Sequence, residues 1–332
     1  MRPAQMMIPP NTILTLRSEI HCKGENEMST ANKEVPRVTG LLVIEVRNSN
    51  PNGDPDRESD PRSRAHDGKG IISDVSFKRK LRELVLSKMG PVWSAIKKIM
   101  SIDDDEKYGI HVDQATRERE KSSKSEGQKK SLSGNHWDVR VFGSTSLEEK
   151  DNFIRTGVAQ FSIGVSAAKI RIQRDTNTVK VGVDVNKNAD RGMAPLGFRI
   201  VEHGVYAMPF LVNPTAAGKS ECTREDIELL CRLIPYAYPH NSSRIRPLVE
   251  VRHAWYFEHK SRLGSCSDFA ILDALTPTKV DPKEPSTAWT DYAYNGDELL
   301  ATLRKRFEGK YNHFGDLCDA AFVEQVFPRT NG

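Results

Sequence analysis

The residues best suited to bind a ligand lie in two segments between positions 48 and 82. Residues 48–56 (NSNPNGDPD) follow an apolar run, and these residue types build tight turns while leaving oxygen and N–H groups free. A helix is predicted to begin at Ser73 or Asp74, because both residue types cap helix N-termini. Its first turns carry four cations, which are Lys78, Arg79, Lys80 and Arg82. A shaped polar loop beside a cationic helix can bind phosphate groups.

Two interpretations of these helix cations remain open. The cations can form a solvated helix face, as the charged residues of surface helices usually do. However, cations near a helix N-terminus oppose the helix dipole, at a cost of about a few tenths of a kcal/mol each. An external polyanion would offset that cost, so the cluster also fits a surface that binds nucleic acid.

Composition restricts the function classes without choosing among them. The 332 residues are 37% hydrophobic, which supports a real core, and the net charge of +4 permits nucleic-acid binding without arguing for it. Five cysteines with no CxxC pair favour a reducing cytoplasm over a disulfide framework or a zinc site. No stretch approaches a membrane span or an apolar signal core. We therefore expect a cytoplasmic protein that makes no contact with a membrane.

The periodic segments occur in the order β-α-β-β-α-β. Strands are predicted over 41–47, 157–165, 198–212 and 248–259, and helices over 74–89 and 223–234. The second helix begins with a capping-box-like sequence, TRED, at 223–226. This order is typical of the α+β ferredoxin-like fold, which RNA-recognition modules also use.

Alternation along two of these strands predicts which residues share a face. In the strand over 157–165, the residues predicted to lie on one face are Ala159, Phe161, Ile163 and Val165. In the strand over 248–259, they are Val249, Val251, Trp255 and Phe257.

Four further segments are predicted around this core. Residues 1–37 form a disordered N-terminal extension, because prolines and scattered charges leave nothing periodic to bury. Residues 90–136 begin with an amphipathic piece and pass into a polar loop. Residues 166–197 form a projecting β-hairpin whose first strand alternates isoleucine with Lys169, Arg171 and Arg174. Residues 276–332 form a C-terminal extension that packs on the core or on a neighbour.

The sequence resembles the Cas-seven family of CRISPR backbone subunits, in its Csd/Csh branch and most closely type I-C. The resemblance covers about 38 to 275, and its pieces occur in the order of the family. These pieces are 50–56 (NPNGDPD), 73–75 (SDV) with 78–80 (KRK), 138–140 (DVR) with 142–143 (FG), 160–162 (QFS), and the late strand running into 263–264 (LG).

The resemblance implies a hand-like, non-catalytic protein without a cofactor. Its palm would be a modified ferredoxin-like domain over 38–275, with fingers at 90–136 and a thumb at 166–197. Several copies would form a head-to-tail row along a CRISPR RNA (crRNA), for recognition of a target DNA strand. The other implied partners are the capping, large and small subunits of the type I surveillance complex, Cascade.

A protein that must hold any guide sequence should contact phosphates and overall shape instead of base edges. The predicted RNA-binding residues are Asn50, Asn52, Lys78, Arg79, Lys80, Arg82, Arg140, Lys169, Arg171, Arg174 and Met193. For Arg140, contact with RNA and a pairing with Asp138 that pins the palm both remain open. Met193 is a candidate apolar wedge between bases, with ordinary packing as the alternative.

Two other functions remain as alternatives. Asp54 and Asp56 could hold a metal for RNA cleavage, as a loop aspartate does in the related type III backbone subunits, although Pro51 and Pro55 break the pattern of a calcium loop. A solitary protein of the RNA-recognition type would need exposed aromatic residues on the central strands, and Phe161 is predicted to be core. The sequence contains no HExxH, P-loop or Rossmann pattern.

Overall fold

In the computed structural model, strand β1 (Val38–Ser49) lies in the middle of an antiparallel sheet. The structure describes residues 34–111, 134–146, 153–180 and 193–329. Strand β1 pairs with residues 201–212 on one side and with residues 249–258 on the other. Every residue from Val38 to Val46 is buried. The apolar run therefore reflects a strand that is covered on both faces. Periodicity alone cannot distinguish such a strand from a buried helical segment.

The elements follow one another along the described residues. The strands are β1, β2 (Gly53–Asp54), β3 (Asp60–Pro61), β4 (Lys69–Ile72), β5 (Gly143–Ser146), β6 (Phe153–Thr156), β7 (Ala159–Phe161), β8 (Gly164–Lys169), β9 (Ile172–Lys180), β10 (Met193–Val212), β11 (Val249–His259) and β12 (Tyr311–Asp316). The α-helices are α1 (Asp74–Leu86), α2 (Pro91–Ile99), α3 (Trp137–Phe142), α4 (Ala217–Ser220), α5 (Arg224–Leu233), α6 (Asp268–Leu275), α7 (Gly296–Arg306) and α8 (Ala320–Val326).

The main sheet has the strand order β12-β11-β1-β10-β8-β4, and β7 and β9 also pair with β10. All of these pairs are antiparallel. Numbered by their order in the sequence, the four predicted core strands therefore lie side by side in the order 4-1-3-2. The predicted α+β class is confirmed.

Both faces of the sheet are covered by helices. Leu42 and Ile44 point into a first core formed with α1, α2 and α5. Leu41 and Val43 point into a second core formed with α6 and α7. Adjacent residues of a strand face opposite ways, so β1 supplies both cores from one apolar run. The C-terminal region contributes to both cores, since α7 packs in the second and α8 in the first, and its strand β12 extends the sheet beside β11.

Strand β11 changes faces part-way along its length. Its pairing with β1 shifts between Val43↔His253 and Ile44↔Val251, which leaves Arg252 as an extra residue. An extra residue in one strand reverses the alternation beyond it. Val249 and Val251 therefore lie in the first core, whereas Trp255 and Phe257 lie in the second. The prediction that these four residues share one face was wrong.

The strand predicted over 157–165 is divided in the same way. Phe161 lies opposite Phe210 and Val165 lies opposite Ala207, so four steps along one strand match three along the other. The extra residue breaks the alternation, and Ile163 is 51% exposed. The prediction that Ile163 shares the buried face of Ala159 and Phe161 was wrong.

Both predicted helices of the core are present with the expected caps. The Ser73 hydroxyl accepts a hydrogen bond from Ser76 N (3.2 Å), and α1 ends at Leu86, three residues before the predicted end. Helix α5 begins with a full capping box. In it, Asp226 N donates to Thr223 Oγ1 (3.3 Å), and Thr223 N donates to Asp226 Oδ2 (3.0 Å).

Strand β9 and the first part of β10 form a two-stranded hairpin. Their register runs from Ile172↔Val201 to Lys180↔Met193. The pairing of β10 with β1 ends at Ser49↔Val201, so the hairpin continues beyond the end of β1. Residues 181–192, predicted to contain its tip, lie outside the described residues. The polar loop within the predicted fingers (112–133) and residues 1–33 also lie outside them. In the described part of the chain, no helix is long and apolar enough to cross a membrane.

Candidate nucleic-acid interface

Asn50 anchors the end of β1, where three segments of the chain meet. Its side-chain amide donates to Ser59 O (2.8 Å) and to Arg199 O (3.1 Å), which joins the polar loop to β10. Its backbone N–H donates to Ile245 O (2.7 Å), and its backbone oxygen accepts from Arg246 Nε (2.8 Å). The residue is only 1% exposed. The structure therefore shows Asn50 holding the loop, the hairpin and residues 241–248 together at one end of the sheet.

Asn52 joins the polar loop to the start of α1. Its Oδ1 accepts a hydrogen bond from the backbone N–H of Ser73 (2.8 Å), the residue that caps the helix. A few residues on, Asp54 caps a short turn by accepting from Asp56 N (3.3 Å) and pairs with Arg62 at 3.4 Å. The two predicted segments, loop and helix, are thus one connected structure.

The helix cations have carboxylate partners within the chain. Lys78 pairs with Asp74 at 3.0 Å. Arg79 and Lys80 both pair with Glu83, at 2.8 and 3.1 Å. Burial lowers the pKa of Lys80, and Glu83 only partly opposes this effect. The chain therefore supplies the counter-charges that the sequence led us to seek in an external polyanion.

These helix cations differ in the solvent exposure of their side chains. Arg79 is the exposed member, with 75% of its side chain accessible, and an exposed ion pair contributes only ~0–1 kcal/mol. A phosphate could therefore displace Glu83 from Arg79 at little cost. Lys80 is buried, and its ammonium has little access to an external phosphate.

Arg82 and Arg140 join helices inside the protein. Arg82 pairs with the buried Asp138 at 3.0 Å and lies over the Phe142 ring at 5.1 Å. Arg140 pairs with Asp226, not with Asp138 as one of the two predicted roles required. Burial alone would lower the pKa of Arg140, but its hydrogen bonds to Asp226 outweigh burial and raise it.

Lys169 and Arg171 lie at the base of the hairpin and point away from the core. Both are exposed, whereas Ile170 between them is buried. Among the described residues, neither cationic side chain forms an ion pair or hydrogen bond. Lys69 lies directly opposite Lys169 in the pairing of β4 with β8. This small group of cations has free charge to offer to a phosphate backbone.

Arg174 is tied to the polar loop. It forms a two-pronged pair with Asp60, at 2.7 Å from Nη2 and 3.1 Å from Nε, and Arg199 on the opposite strand contacts the same carboxylate at 3.3 Å. The hydrogen bond from Arg174 lowers the pKa of Asp60, and Arg199 adds to this effect. Because 59% of the Arg174 side chain is exposed, the pair both braces the hairpin base and remains open to solvent.

Met193 occupies the first position of β10, opposite Lys180. Its side chain lies outside what the structure describes, so its predicted role as a wedge stays a prediction.

The sequence analysis missed several cations at the same end of the sheet. Arg199 also pairs with Glu58 and donates to Arg57 O (3.2 Å). Arg244 is exposed and has no side-chain partner within the described residues. A detectable signal was present, since residues 241–248 (NSSRIRPL) place two arginines in a polar turn before a strand. Their position beside Asn50 depends on contacts that no local pattern reveals.

The structure also describes the residues on which the two alternative functions depend. Phe161 is buried and stacks on Phe210 at a ring distance of 5.4 Å, so it offers no base-stacking face. Within residues 34–111, 134–146, 153–180 and 193–329, no group of three or more His, Cys, Asp or Glu side chains could hold a metal ion.

The family model described as CRISPR-associated protein Cas7 matches residues 36–297, which is most of the chain. The chain belongs to the Cas7 family. The matched region begins just before β1 and ends at the start of α7. It therefore contains the polar loop, the helix cations, the hairpin and the 241–248 turn of this Cas7 protein. No curated protein matches the chain.

Several solved structures are similar to this Cas7 chain at low sequence identity. A chain of a "CRISPR RNA-guided surveillance complex" is 14% identical, with a TM-score of 0.44 over 82% of this chain and 85% of that chain. A chain of a "CRISPR RNA-guided surveillance complex, pre-nicking" is 16% identical, with a TM-score of 0.47 over 82% and 89%. A chain of "Type III-B Cmr-beta bound to cognate target RNA" is 11% identical, with a TM-score of 0.37 over 70% and 64%.

Proposed function

We propose that this Cas7 protein is a non-catalytic, crRNA-binding backbone subunit of a type I CRISPR surveillance complex, of the Csd/Csh branch and most like type I-C. Copies of it form a head-to-tail row along the guide RNA and present that RNA for recognition of a target DNA strand. Its other partners are the capping, large and small subunits of the complex. The free thiols of the four cysteines in the described residues support a reducing, cytoplasmic location.

One observation carries the proposal. Three segments meet at the end of β1, and the side chains that project there include four exposed cations without partners in the described part of the chain, beside the exposed carboxylates of Asp56 and Glu202. These cations are Arg57, Lys169, Arg171 and Arg244. Free cations fixed on a rigid framework can bind a phosphate backbone without reading its bases. This is what a subunit that accepts any guide sequence requires.

The arrangement supports a palm, fingers and thumb. The sheet with its 4-1-3-2 strand order serves as a ferredoxin-like palm over 38–275, and residues 90–136 serve as the fingers. The β9–β10 hairpin serves as the thumb, since it extends past the end of β1 beside the free cations. The covered sheet disfavours an RNA-recognition module that acts alone, because such modules stack bases on an open sheet face.

Salt-dependent RNA binding tests the proposal. If each copy neutralises about three to five phosphates, the log-log salt slope for a short RNA should be about −2 to −3.5. RNAs of unrelated sequence should bind with the same affinity. A flat salt dependence, or a strong preference for one sequence, would contradict the proposed role.

A metal-dependent RNase that uses Asp54 and Asp56 is the second candidate, favoured by the position of both carboxylates beside the proposed RNA surface. The pure protein is incubated with labelled RNA and Mg²⁺ or Mn²⁺. We expect no cleavage. Cleavage that is lost in Asp54→Ala but kept in the matched control Asp103→Ala, on the loop after α2, would establish the RNase and overturn the non-catalytic role.

A further inference from the structure

Two exposed surfaces of this chain are complementary in charge and carry exposed apolar side chains. We name them the basic face and the acidic face. The basic face consists of Lys260, Arg262, Leu263, Phe269 and Lys310. The acidic face consists of Leu86, Met89, Asp103, Asp104 and Glu106.

The basic face is built on the turn between β11 and α6. Leu263 is 98% exposed and Phe269 is 76% exposed. The turn is held in shape because Gly264 N donates to Ser261 O (2.9 Å) and Lys260 N donates to Lys310 O (3.1 Å). Gly264 adopts φ +100°, a conformation that glycine accommodates and other residues rarely do. The turn thus presents Leu263 to solvent on a fixed support.

Cations dominate the basic face. The half-buried carboxylate of Asp268, next to Phe269 in the chain, is occupied by Arg37 at 2.5 Å and by the Thr39 hydroxyl. Lys260 and Lys310 are both exposed. Two exposed carboxylates lie at its edge, Glu308 beside Lys310 and Asp273 one helical turn after Phe269. An approaching surface would therefore meet positive charge around two apolar side chains.

The acidic face lies at the connection from α1 to α2 and on the loop that follows α2. Met89 is 97% exposed and Leu86 is 42% exposed. The four carboxylates at 103–106 outnumber the two exposed cations beside them, Lys98 and Lys107. Asp105 pairs with Lys97 at 3.1 Å, and Asp104 lies 3.9 Å from Lys107. Asp103 and Glu106 are exposed, and their carboxylates have no ion pair within the described residues. The loop is fixed to the protein by Ile102, which is buried in the first core.

The two faces lie on opposite sides of the main sheet. Helix α6, next to the basic face, packs in the second core, whereas α2, next to the acidic face, packs in the first core. One copy therefore cannot bring its own two faces together. Contact between unlike faces of successive copies is heterologous, and it extends into an open row unless the rotation between copies closes a ring.

We propose that the basic face of one copy docks on the acidic face of the next copy. Leu263 and Phe269 bury apolar surface against Leu86 and Met89. Lys260 and Lys310 oppose Asp103 and Glu106, which selects this orientation and excludes contact between like faces. This inference deepens the proposed function, because it names the surfaces through which copies on one guide RNA meet.

Charge reversal tests the contact on the full-length protein. Sedimentation velocity measures the assembly of copies on an RNA long enough to hold several of them. The variants Lys260→Glu/Lys310→Glu and Asp103→Lys/Glu106→Lys should each weaken the association between copies by about tenfold or more, since like charges then oppose each other. An equal mixture of the two variants should restore it to within about threefold of wild type, because alternating copies regain opposite charges.

Matched variants keep the test independent of folding and of net charge. Lys219→Glu reverses an exposed lysine of α4 that belongs to neither face, and it should leave assembly unchanged, in contrast to Lys260→Glu. Leu263→Ser alters a side chain with almost no contacts of its own, so it cannot unfold the protein, and it should weaken association several-fold. Undiminished assembly in Leu263→Ser, or failure of the mixture to recover, would overturn the contact.

A short RNA that holds a single copy separates this inference from the proposed function. All variants should bind the short RNA as tightly as wild type does. If reversal of Lys260 and Lys310 weakens binding to the short RNA, the basic face is an RNA contact and the docking proposal is wrong. If wild type binds no RNA, the proposed function fails, and mixing the two reversed variants at high protein concentration without RNA still decides the contact.

Discussion

Arg140 on α3 donates two hydrogen bonds to the carboxylate of Asp226 at the start of α5, at 2.8 and 2.7 Å. Both side chains are buried. The same carboxylate accepts the backbone N–H of Thr223 in the capping box of α5 (3.0 Å). This ion pair, together with the hydrogen bond from Trp137 Nε1 to Asp226 O (3.1 Å), therefore fixes α3 against the N-terminus of α5. Arg140 is therefore part of the buried framework of the fold.

Replacement of Arg140 should destabilise the protein without changing its affinity for RNA. Arg140→Ala leaves the buried Asp226 carboxylate unpaired, which should lower the free energy of unfolding by ~3–5 kcal/mol. Urea denaturation measures this loss. The matched control Arg79→Ala removes an exposed pair and should cost no more than ~1 kcal/mol. Unchanged stability together with weaker RNA binding would assign Arg140 to the RNA surface instead.

Removal of the free cations at the hairpin base should reduce the salt dependence of RNA binding. Lys169→Ala/Arg171→Ala should make the log-log salt slope for a short RNA less steep by about 1.4, since each lost phosphate contact removes about 0.7. Equilibrium binding at several salt concentrations measures the slope. The control Lys219→Ala/Lys305→Ala removes two other exposed lysines and should leave the slope unchanged. Equal slopes for the two double variants would remove Lys169 and Arg171 from the RNA surface.

Shortening the hairpin should abolish assembly on RNA while the sheet remains folded. Residues 176–197 are replaced by a short Gly-Ser turn, which keeps Asp175 opposite Phe198 and preserves the pair between Arg174 and Asp60. Wild-type particles should grow in steps with RNA length, and the shortened protein should not form them. A cooperative thermal melt checks that the sheet is intact. Growth that persists in the shortened protein would show that the hairpin is not a thumb.

Stability should rise between about pH 8 and pH 10 because of Lys88. Burial lowers the pKa of Lys88 to about 8, Asp105 partly opposes this effect, and Lys97 adds to it. In the unfolded chain this lysine has a pKa of about 10.4. Within this pH range the unfolded state therefore binds more protons than the folded state, and stability increases with pH.

Urea titrations of Lys88→Met provide the comparison for that rise. The methionine keeps an unbranched side chain over the Trp93 ring, which lies 3.5 Å from the Lys88 ammonium. The unfolding free energy of wild type minus that of the variant should increase as the pH rises through this window. A difference that stays constant from pH 7 to pH 10 would contradict the lowered pKa.

Local patterns in the sequence were sufficient for most of the elements. The apolar run at 41–47, the cap at Ser73 and the capping box at Thr223 are short-range signals, and each of these elements is present. Where a strand contains an extra residue, periodicity fails. The changes of face at Arg252 and at Ile163 depend on which partner strand lies alongside, and alternation within one strand carries no information about its partner.

The sequence showed which residue types form the candidate site, but it did not show which residue pairs with each charged side chain. The cations at 78–82 form a conspicuous cluster, yet Lys80 and Arg82 are committed to Glu83 and Asp138. The second of these carboxylates lies 56 residues away in the chain. Asn50 was recognised as a loop residue, whereas its contacts with Arg199 and Arg246 span 149 and 196 positions.

Residue types, helix caps and apolar periodicity, and therefore the α+β class, follow from the sequence alone, because these features depend on neighbours within a few positions. Which cations are free depends on the tertiary structure. The charge of Lys169 and that of Arg140 are equal in the sequence, but Arg140 is buried against Asp226, whereas Lys169 is exposed beside Lys69. The physical reason is that an ion pair depends on distance in space, and folding brings carboxylates from remote parts of the chain to some cations and not to others.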